Sequence, residues 1–291
     1  MSLFNLHSDT LTSHIKSWLQ EDIGTGDVSA LVTIPETHQS KGIIHAKQDG
    51  VIAGLPLIAM IFNIIDPQMQ IQLLIPEGEH VSKGTTIAEI NGNTRNILSG
   101  ERLVLNLLQR LSGIASKTKQ FATIIEDLDS NIADTRKTTP GLRVLEKYAV
   151  RIGGGVNHRV GLYDAVMIKD NHIKAAGGIT AAVSNARKSI PHTMKIEVEV
   201  ESLQEVTEAL SAGADIIMLD NMHAEHMVQA VHQIREVNHN ITIEASGGIN
   251  LQSIRSVAET GVDIISIGGL TNGVQTIDIS LDLYQKKGEE V

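Results

Sequence analysis

From about residue 130 to 270 the chain keeps one beat: an apolar run, a polar turn, then a stretch whose apolar residues recur at helical spacing. Six apolar runs end in polar residues, at NIADTRK (131–137), AVMIKDN (165–171), KIEVEVE (195–201), DIIMLDN (215–221), TIEASGG (242–248) and IISIGGL (264–270). Between two of them, Ser202 and Glu205 have capping-box spacing, Leu203, Val206 and Leu210 form an apolar face, and Gly213 follows as a stop. Further on, Asn250 precedes Ile254, Val257 and Ala258, and Gly261 ends that segment. Strands alternating with helices in this way predict a parallel sheet. Six such strands favour an α/β barrel, closed or incomplete. An open Rossmann sheet is the runner-up, but no strand is followed by G-x-G-x-x-G in the right context.

Upstream the texture is mixed. A helix is predicted around 8–21, a turn at Gly-Thr-Gly-Asp (24–27), two strands joined by a glycine-containing turn over 71–92, and a strongly apolar helix over 97–126. In that last helix Arg102 stands four residues after Leu98 and three before Leu105, beside an apolar stripe. An arginine there needs an anion, either a structural carboxylate or a ligand.

Composition narrows the function. The chain has 291 residues, enough for two domains, and a formal net charge of -10. Aromatics make up 2% and the pI is about 5.6, which argues against base stacking and against a duplex-binding surface. There is no cysteine, so disulfides, thiolate metal sites and a cysteine nucleophile are excluded. No apolar run reaches the roughly 18–20 residues of a membrane span. The amino terminus, MSLFNLHSDT, lacks the pattern of a secretory signal, and the cytoplasm is the expected compartment.

Against this acidic background, residues 134–174 hold eight Lys or Arg and four Asp or Glu, a balance of +4. In a barrel, every strand delivers its terminal polar residues to one mouth. Arg136, Lys137, Lys169, Glu199, Asp220, Ser246 and Gly268 are then expected to converge there. Singly, each cation reads as a solvated rim charge; their recurrence at successive strand ends points to a pocket for a multiply anionic ligand. The two glycine turns, ASGGI (245–249) and SIGGL (266–270), follow the last two strands, where barrel enzymes bind phosphate. Carboxylates beside a phosphate site are suited to ribose hydroxyls, Mg²⁺ or a developing sugar cation. A structural ion-pair network among the same residues is the bland alternative.

The strings GERLVLNLLQRLSGIAS (100–116), DTRKTTPGLR (134–143), GGGVNHRVGLYDAVMIKDNH (153–172), EVEVESL (197–203), MLDN (218–221), EASGGI (244–249) and SIGGL (266–270) resemble those of the quinolinate phosphoribosyltransferase family. The similarity runs from GTGDV (24–28) nearly to the end. It implies an amino-terminal α/β sandwich over 1–112, completed by the tail 271–291, and an incomplete α/β barrel over 113–270. It also implies conversion of quinolinate and phosphoribosyl pyrophosphate to nicotinate mononucleotide, pyrophosphate and CO₂, with Mg²⁺. By the same resemblance Arg136, His158, Arg159 and Lys169 surround the quinolinate carboxylates with Lys137 nearby, and Arg102 enters from the partner of a homodimer. Glu199 and Asp220 attend the ribose and the metal. Ser246, Gly247, Gly248, Gly268 and Gly269 bind the 5′-phosphate. Lys137, Lys169, Glu199 and Asp220 are the catalytic candidates. The rivals are a related transferase acting on another base, such as nicotinate, and a non-catalytic receptor for a small anion; DNA binding is a distant third.

Overall fold

The computed structural model describes residues 9–285. It divides into two compact units. One runs to Ser116 and takes the chain back from Val274; the other is Lys117–Gly273. Residues 286–291 of the expected tail, and Ser8 of the first expected helix, lie outside the described residues.

The first unit begins with helices α1 (Asp9–Ile23) and α2 (Val28–Thr33). It continues with strands β1 (Gln39–Ala46) and β2 (Gly50–Val51), helix α3 (Leu55–Ile65), and strands β3 (Gln70–Leu73), β4 (His80–Val81) and β5 (Thr86–Asn93). Where two strands were expected over 71–92 there are three, because the chain after β3 detours to pair β4 with β2 before β5 returns antiparallel to β3. Helix α2 was not anticipated. Its signal is the cap, since Asp27 Oδ1 accepts the Ala30 N–H at 3.0 Å. Its far end is held by Arg95, whose Nε donates to the Ile34 carbonyl at 2.8 Å.

The long helix α4 (Thr94–Ile124) follows. Val104, Leu105, Leu107, Leu108 and Leu111 are buried, each worth roughly 1.5–3 kcal/mol in removed apolar surface. Two of its serines serve the small sheet: Ser116 Oγ accepts the Val51 N–H at 2.7 Å and Ser112 Oγ the Ala53 N–H at 3.0 Å.

The second unit keeps the alternation read in the sequence. Its strands are β6 (Asn131–Ala133), β7 (Val166–Ile168), β8 (Ile196–Val200), β9 (Ile216–Asp220), β10 (Thr242–Ser246) and β11 (Ile264–Ser266). Among them lie helices α5 (Arg143–Ile152), α6 (Asp170–Ala176), α7 (Ile179–Ser189), α8 (Leu203–Ala212), α9 (Ala224–Val237) and α10 (Ile254–Ala258). A final strand, β12 (Ile279–Gln285), belongs to the first unit and pairs antiparallel with β1, so the order of that sheet is β12-β1-β5-β3.

The six strands of the second unit are parallel, in the order β6-β11-β10-β9-β8-β7. That order is cyclic: the first strand lies beside the last, as in a barrel, and the seam falls between the first and second strands. A single parallel bridge, Ala133 to Val156, lines the seam on the β6 side. This is the incomplete α/β barrel of the family resemblance.

Charges at the amino ends of the strands are structural. Asp263 accepts two bonds from Arg235 Nη2, at 2.7 and 2.8 Å, and the Ile243 N–H at 2.7 Å. Asp215 does the same for Arg187 and the Ile196 N–H, each at 2.7 Å. At α8 the capping is split: Ser202 Oγ accepts the Glu205 N–H, but the Glu205 carboxylate reaches the Glu201 N–H at 2.7 Å instead of that of Ser202. Among the described residues no helix is long and apolar enough to cross a membrane.

Candidate active site

The carboxyl ends of the six strands open into a cavity of about 690 Å³. Arg136 and Lys137 reach it from beyond β6, Lys169 from the end of β7, Glu199 from β8, Asp220 from β9 and Ser246 from β10. His158 and Arg159 come from the segment that follows α5 along the seam, and Gly247, Gly248, Gly268 and Gly269 from the turns after β10 and β11. Arg102 is the expected site residue absent from this lining; it sits exposed on α4, in the other unit.

Strand parity explains the placement. Glu197 and Glu199 share one face of β8, as Glu244 and Ser246 share one face of β10, while Ile196, Val198 and Val200 are fully buried on the other face of β8. Four lining side chains are cationic (Arg136, Lys137, Arg159 and Lys169) against two carboxylates (Glu199 and Asp220).

One cationic group has no protein acceptor. Arg136 Nε is buried without a hydrogen-bond partner among the described residues. Burial, and next the Arg136 guanidinium, push Arg159 below the ordinary arginine range, with Glu197 and Asp164 opposing. Arg159 is nonetheless fixed in place, its Nη1 donating to the Ala165 carbonyl at 3.0 Å. Two guanidiniums this close, one with an unsatisfied buried donor, make a site for an anion.

Opposite charges also pair in the lining. Lys169 Nζ donates to Glu199 Oε2, and the Lys169 N–H donates to His172 Nδ1 at 3.0 Å, so His172 orients its neighbour at the start of α6. Asp220 Oδ2 accepts from Asn221 Nδ2 at 2.7 Å. Asn221 has a φ of 53°, a left-handed conformation in a residue other than glycine, and its N–H donates to the Ser246 carbonyl at 2.9 Å. Asn221 is not among the residues expected at the site; only its place directly after an acidic strand end could have signalled it.

The glycine turns are demanded by close approach. A Cβ on Gly247, whose φ is +95°, would stand 2.2 Å from Asn221 Oδ1. One on Gly268 would stand 2.7 Å from Lys137 Cδ. The turns therefore lie against the Asn221 amide and the Lys137 side chain, with their backbone facing the cavity. Lys117 Nζ holds the second turn by donating to the Gly269 carbonyl at 2.6 Å.

Beneath the cavity lies a polar layer that the sequence did not disclose. His158 Nε2 stands 3.2 Å from Glu197 Oε2 and 3.6 Å from Glu244 Oε1. Burial opposes the charged imidazolium, but the bond to Glu197 and the charges of Glu244 and Glu197 outweigh it and raise His158 above its ordinary value.

An incomplete α/β barrel with cations and glycine turns converging at the carboxyl mouth defines an enzyme for phosphorylated, anionic substrates. The family is settled by comparison. The quinolinate phosphoribosyl transferase C-terminal domain profile matches residues 114–282 and the N-terminal domain profile residues 27–112. The chain belongs to the quinolinate phosphoribosyltransferase family. A probable carboxylating nicotinate-nucleotide pyrophosphorylase of Synechocystis is 48% identical, covering 93% of this chain and 92% of the relative. One of Bacillus subtilis is 48% identical over 90% of each. The solved nicotinate-nucleotide pyrophosphorylase of Francisella tularensis superimposes with a TM-score of 0.91 at 39% identity, covering 98% of this chain and 99% of that one.

Proposed function

We infer that this chain transfers the phosphoribosyl group of phosphoribosyl pyrophosphate to quinolinate, releasing pyrophosphate and CO₂ and forming nicotinate mononucleotide for NAD biosynthesis. The carrying observation is the partnerless, buried Arg136 Nε beside Arg159. A dicarboxylate supplies the acceptors that this cluster lacks, and Lys169, Lys137 and His158 complete its surroundings. The glycine turns with Ser246 take the 5′-phosphate.

The pyridine nitrogen is the nucleophile, so no protein base has to attack. Its lone pair bonds to the ribose carbon as the carbon–oxygen bond to pyrophosphate breaks, and Glu199 and Asp220 stabilise the oxocarbenium character that develops. The ring nitrogen is then cationic. When the carboxylate beside it leaves as CO₂, the bonding pair stays on the ring carbon, stabilised by that charge, and a proton takes its place.

Glu199 and Asp220 suit Mg²⁺, being hard oxygen donors on adjacent strands at the pocket wall. Mg²⁺ is commonly held by one or two carboxylates together with substrate phosphates. Bound there, it would neutralise charge on the departing pyrophosphate. Arg102, exposed beside the buried Leu105 and Val104, would reach the quinolinate pocket of the second subunit of a homodimer. The enzyme would act in the cytoplasm.

The test is turnover by the purified chain with Mg²⁺, phosphoribosyl pyrophosphate and either quinolinate or nicotinate, following labelled CO₂ and pyrophosphate. Stoichiometric release of both from quinolinate is expected. Turnover of nicotinate alone would replace this reading with that of the related transferase, and binding without pyrophosphate release would reduce the protein to a receptor.

A further inference from the structure

Asn221 is the only residue other than glycine with a positive φ among the described residues, at 53°. Continued as a strand past Asp220, the chain would turn its next side chain to the face away from the mouth. The left-handed turn brings that side chain back, and asparagine tolerates the turn better than most residues. Three contacts result. Asn221 Nδ2 donates to Asp220 Oδ2 at 2.7 Å. Its N–H donates to the Ser246 carbonyl at 2.9 Å, extending the pairing of β9 with β10 one step beyond Asp220 and Ser246. Its Oδ1 and Cγ lie 2.2 and 2.6 Å from where a Cβ on Gly247 would stand, so the amide rests on that glycine. Asn221 is itself exposed, so these contacts rather than burial hold it.

We propose that Asn221 is a positioning residue that ties the Asp220 carboxylate to the turn after β10, setting the ribose end and the 5′-phosphate end of one phosphoribosyl group at a fixed spacing. It rests on the assignment of Asp220 to the ribose and of the glycine turn to the 5′-phosphate. The chemistry of the amide suits the task. A carboxylate only accepts, so the NH₂ end must face Asp220 and the oxygen the glycine. Asp220 forms no ion pair among the described residues, whereas Glu199 is held by Lys169. A neutral N–H donor orients a carboxylate without cancelling its charge, which stays available to the ribose or to Mg²⁺. The hydrogen bonds of Asn221 reach none of Arg136, Arg159 and Lys169. Loss of the amide therefore falls on phosphoribosyl pyrophosphate and spares the acceptor acid.

Asn221→Gly tests this in the full chain. Glycine adopts a φ of 53° freely and keeps the N–H to Ser246, so the substitution removes the amide alone. The expected result is a kcat/KM for phosphoribosyl pyrophosphate lower by roughly 10- to 100-fold, with calorimetric affinity for the acceptor acid within about twofold of wild type. The melting temperature should not change. If asparagine served only to make the turn, glycine would serve as well, so wild-type kinetics in Asn221→Gly would overturn the proposal. An equal loss of affinity for the acceptor acid would overturn it too. Asn221→Asp keeps the shape, removes the donor and sets a second carboxylate beside Asp220. It should lose at least as much, and wild-type kinetics there would decide against the proposal even if the glycine variant does not fold. The constant for phosphoribosyl pyrophosphate can be read with whichever pyridine acid turns over, so a different acceptor leaves this test intact. A wild-type chain that releases pyrophosphate with no acceptor would defeat the proposed function and this inference with it.

Discussion

The Lys147 ammonium of α5 is bonded to the Asp134 carboxylate just past β6, and neither side chain is exposed to solvent. The same ammonium donates to the His158 carbonyl at 2.9 Å, and Asp134 also accepts the His158 N–H at 3.0 Å. One buried pair thus fixes two segments of the site, since Arg136 follows Asp134 by two residues and Arg159 follows His158. Burial pushes Asp134 up and Lys147 down, and their mutual attraction opposes both shifts. Lys147→Met leaves an unpaired buried carboxylate and should cost about 3–5 kcal/mol, read from urea denaturation. Adding Asp134→Asn should recover part of that loss; a double variant no more stable than the single one would deny the coupling.

Removing the cation that lacks a partner should act on substrate alone. Arg136→Ala forfeits a charge-assisted contact worth about 1.5–3 kcal/mol, so KM for quinolinate should rise roughly 10- to 100-fold in a protein of unchanged melting temperature. Unaltered kinetics in a folded variant would move the dicarboxylate elsewhere.

The turn after β10 should discriminate the other substrate. Gly247→Ala sets a Cβ against Asn221 at a φ of +95° and should cost about 1–3 kcal/mol of local strain. Weaker affinity for phosphoribosyl pyrophosphate, with quinolinate affinity little changed, is the expected calorimetric result.

Subunit complementation examines Arg102. Arg102→Ala and Lys169→Ala subunits should each be inactive alone. In the proposed homodimer, equal mixing yields about half mixed species, each with one intact site, so about a quarter of wild-type activity should return. No recovery would place Arg102 outside the partner's pocket.

The buried acids also leave a mark on stability. Glu244 binds its proton more tightly folded, at about 7, than in the unfolded chain, near 4.5. The folded state therefore holds more protons between those values, and stability falls as pH rises through them, then levels off. Glu244→Gln should flatten that slope in urea midpoints, and an unchanged slope would shift the cause to another group.

Much of this was legible in advance because the barrel repeats one physical rule. Each apolar run had to end where its strand met water, and the polar residues at those ends had to face one mouth. Helix α2 escaped notice because it is six residues long and leaves Val28 and Val32 exposed, so no apolar face marked it. Strand β4 has two residues, too few for alternation to show. Glu244 was hidden inside EASGG, where the glycines drew the reading toward a turn; only packing against Glu197 and His158 gives it meaning. Glu205 had the right spacing for a capping box, but its carboxylate accepts the Glu201 N–H.

The antiparallel pairing of β12 with β1 joins Ser40 to Gln285 across nearly the whole polypeptide. On the ribosome, the segment between them can emerge and collapse while the opening sheet still has a raw edge. That sheet is finished only by β12, translated long after β1 and β5. Deleting β12, or fusing a bulky domain directly after it, should therefore injure the sheet of β1, and leave nascent chains with one edge of β1 unpaired and prone to aggregate.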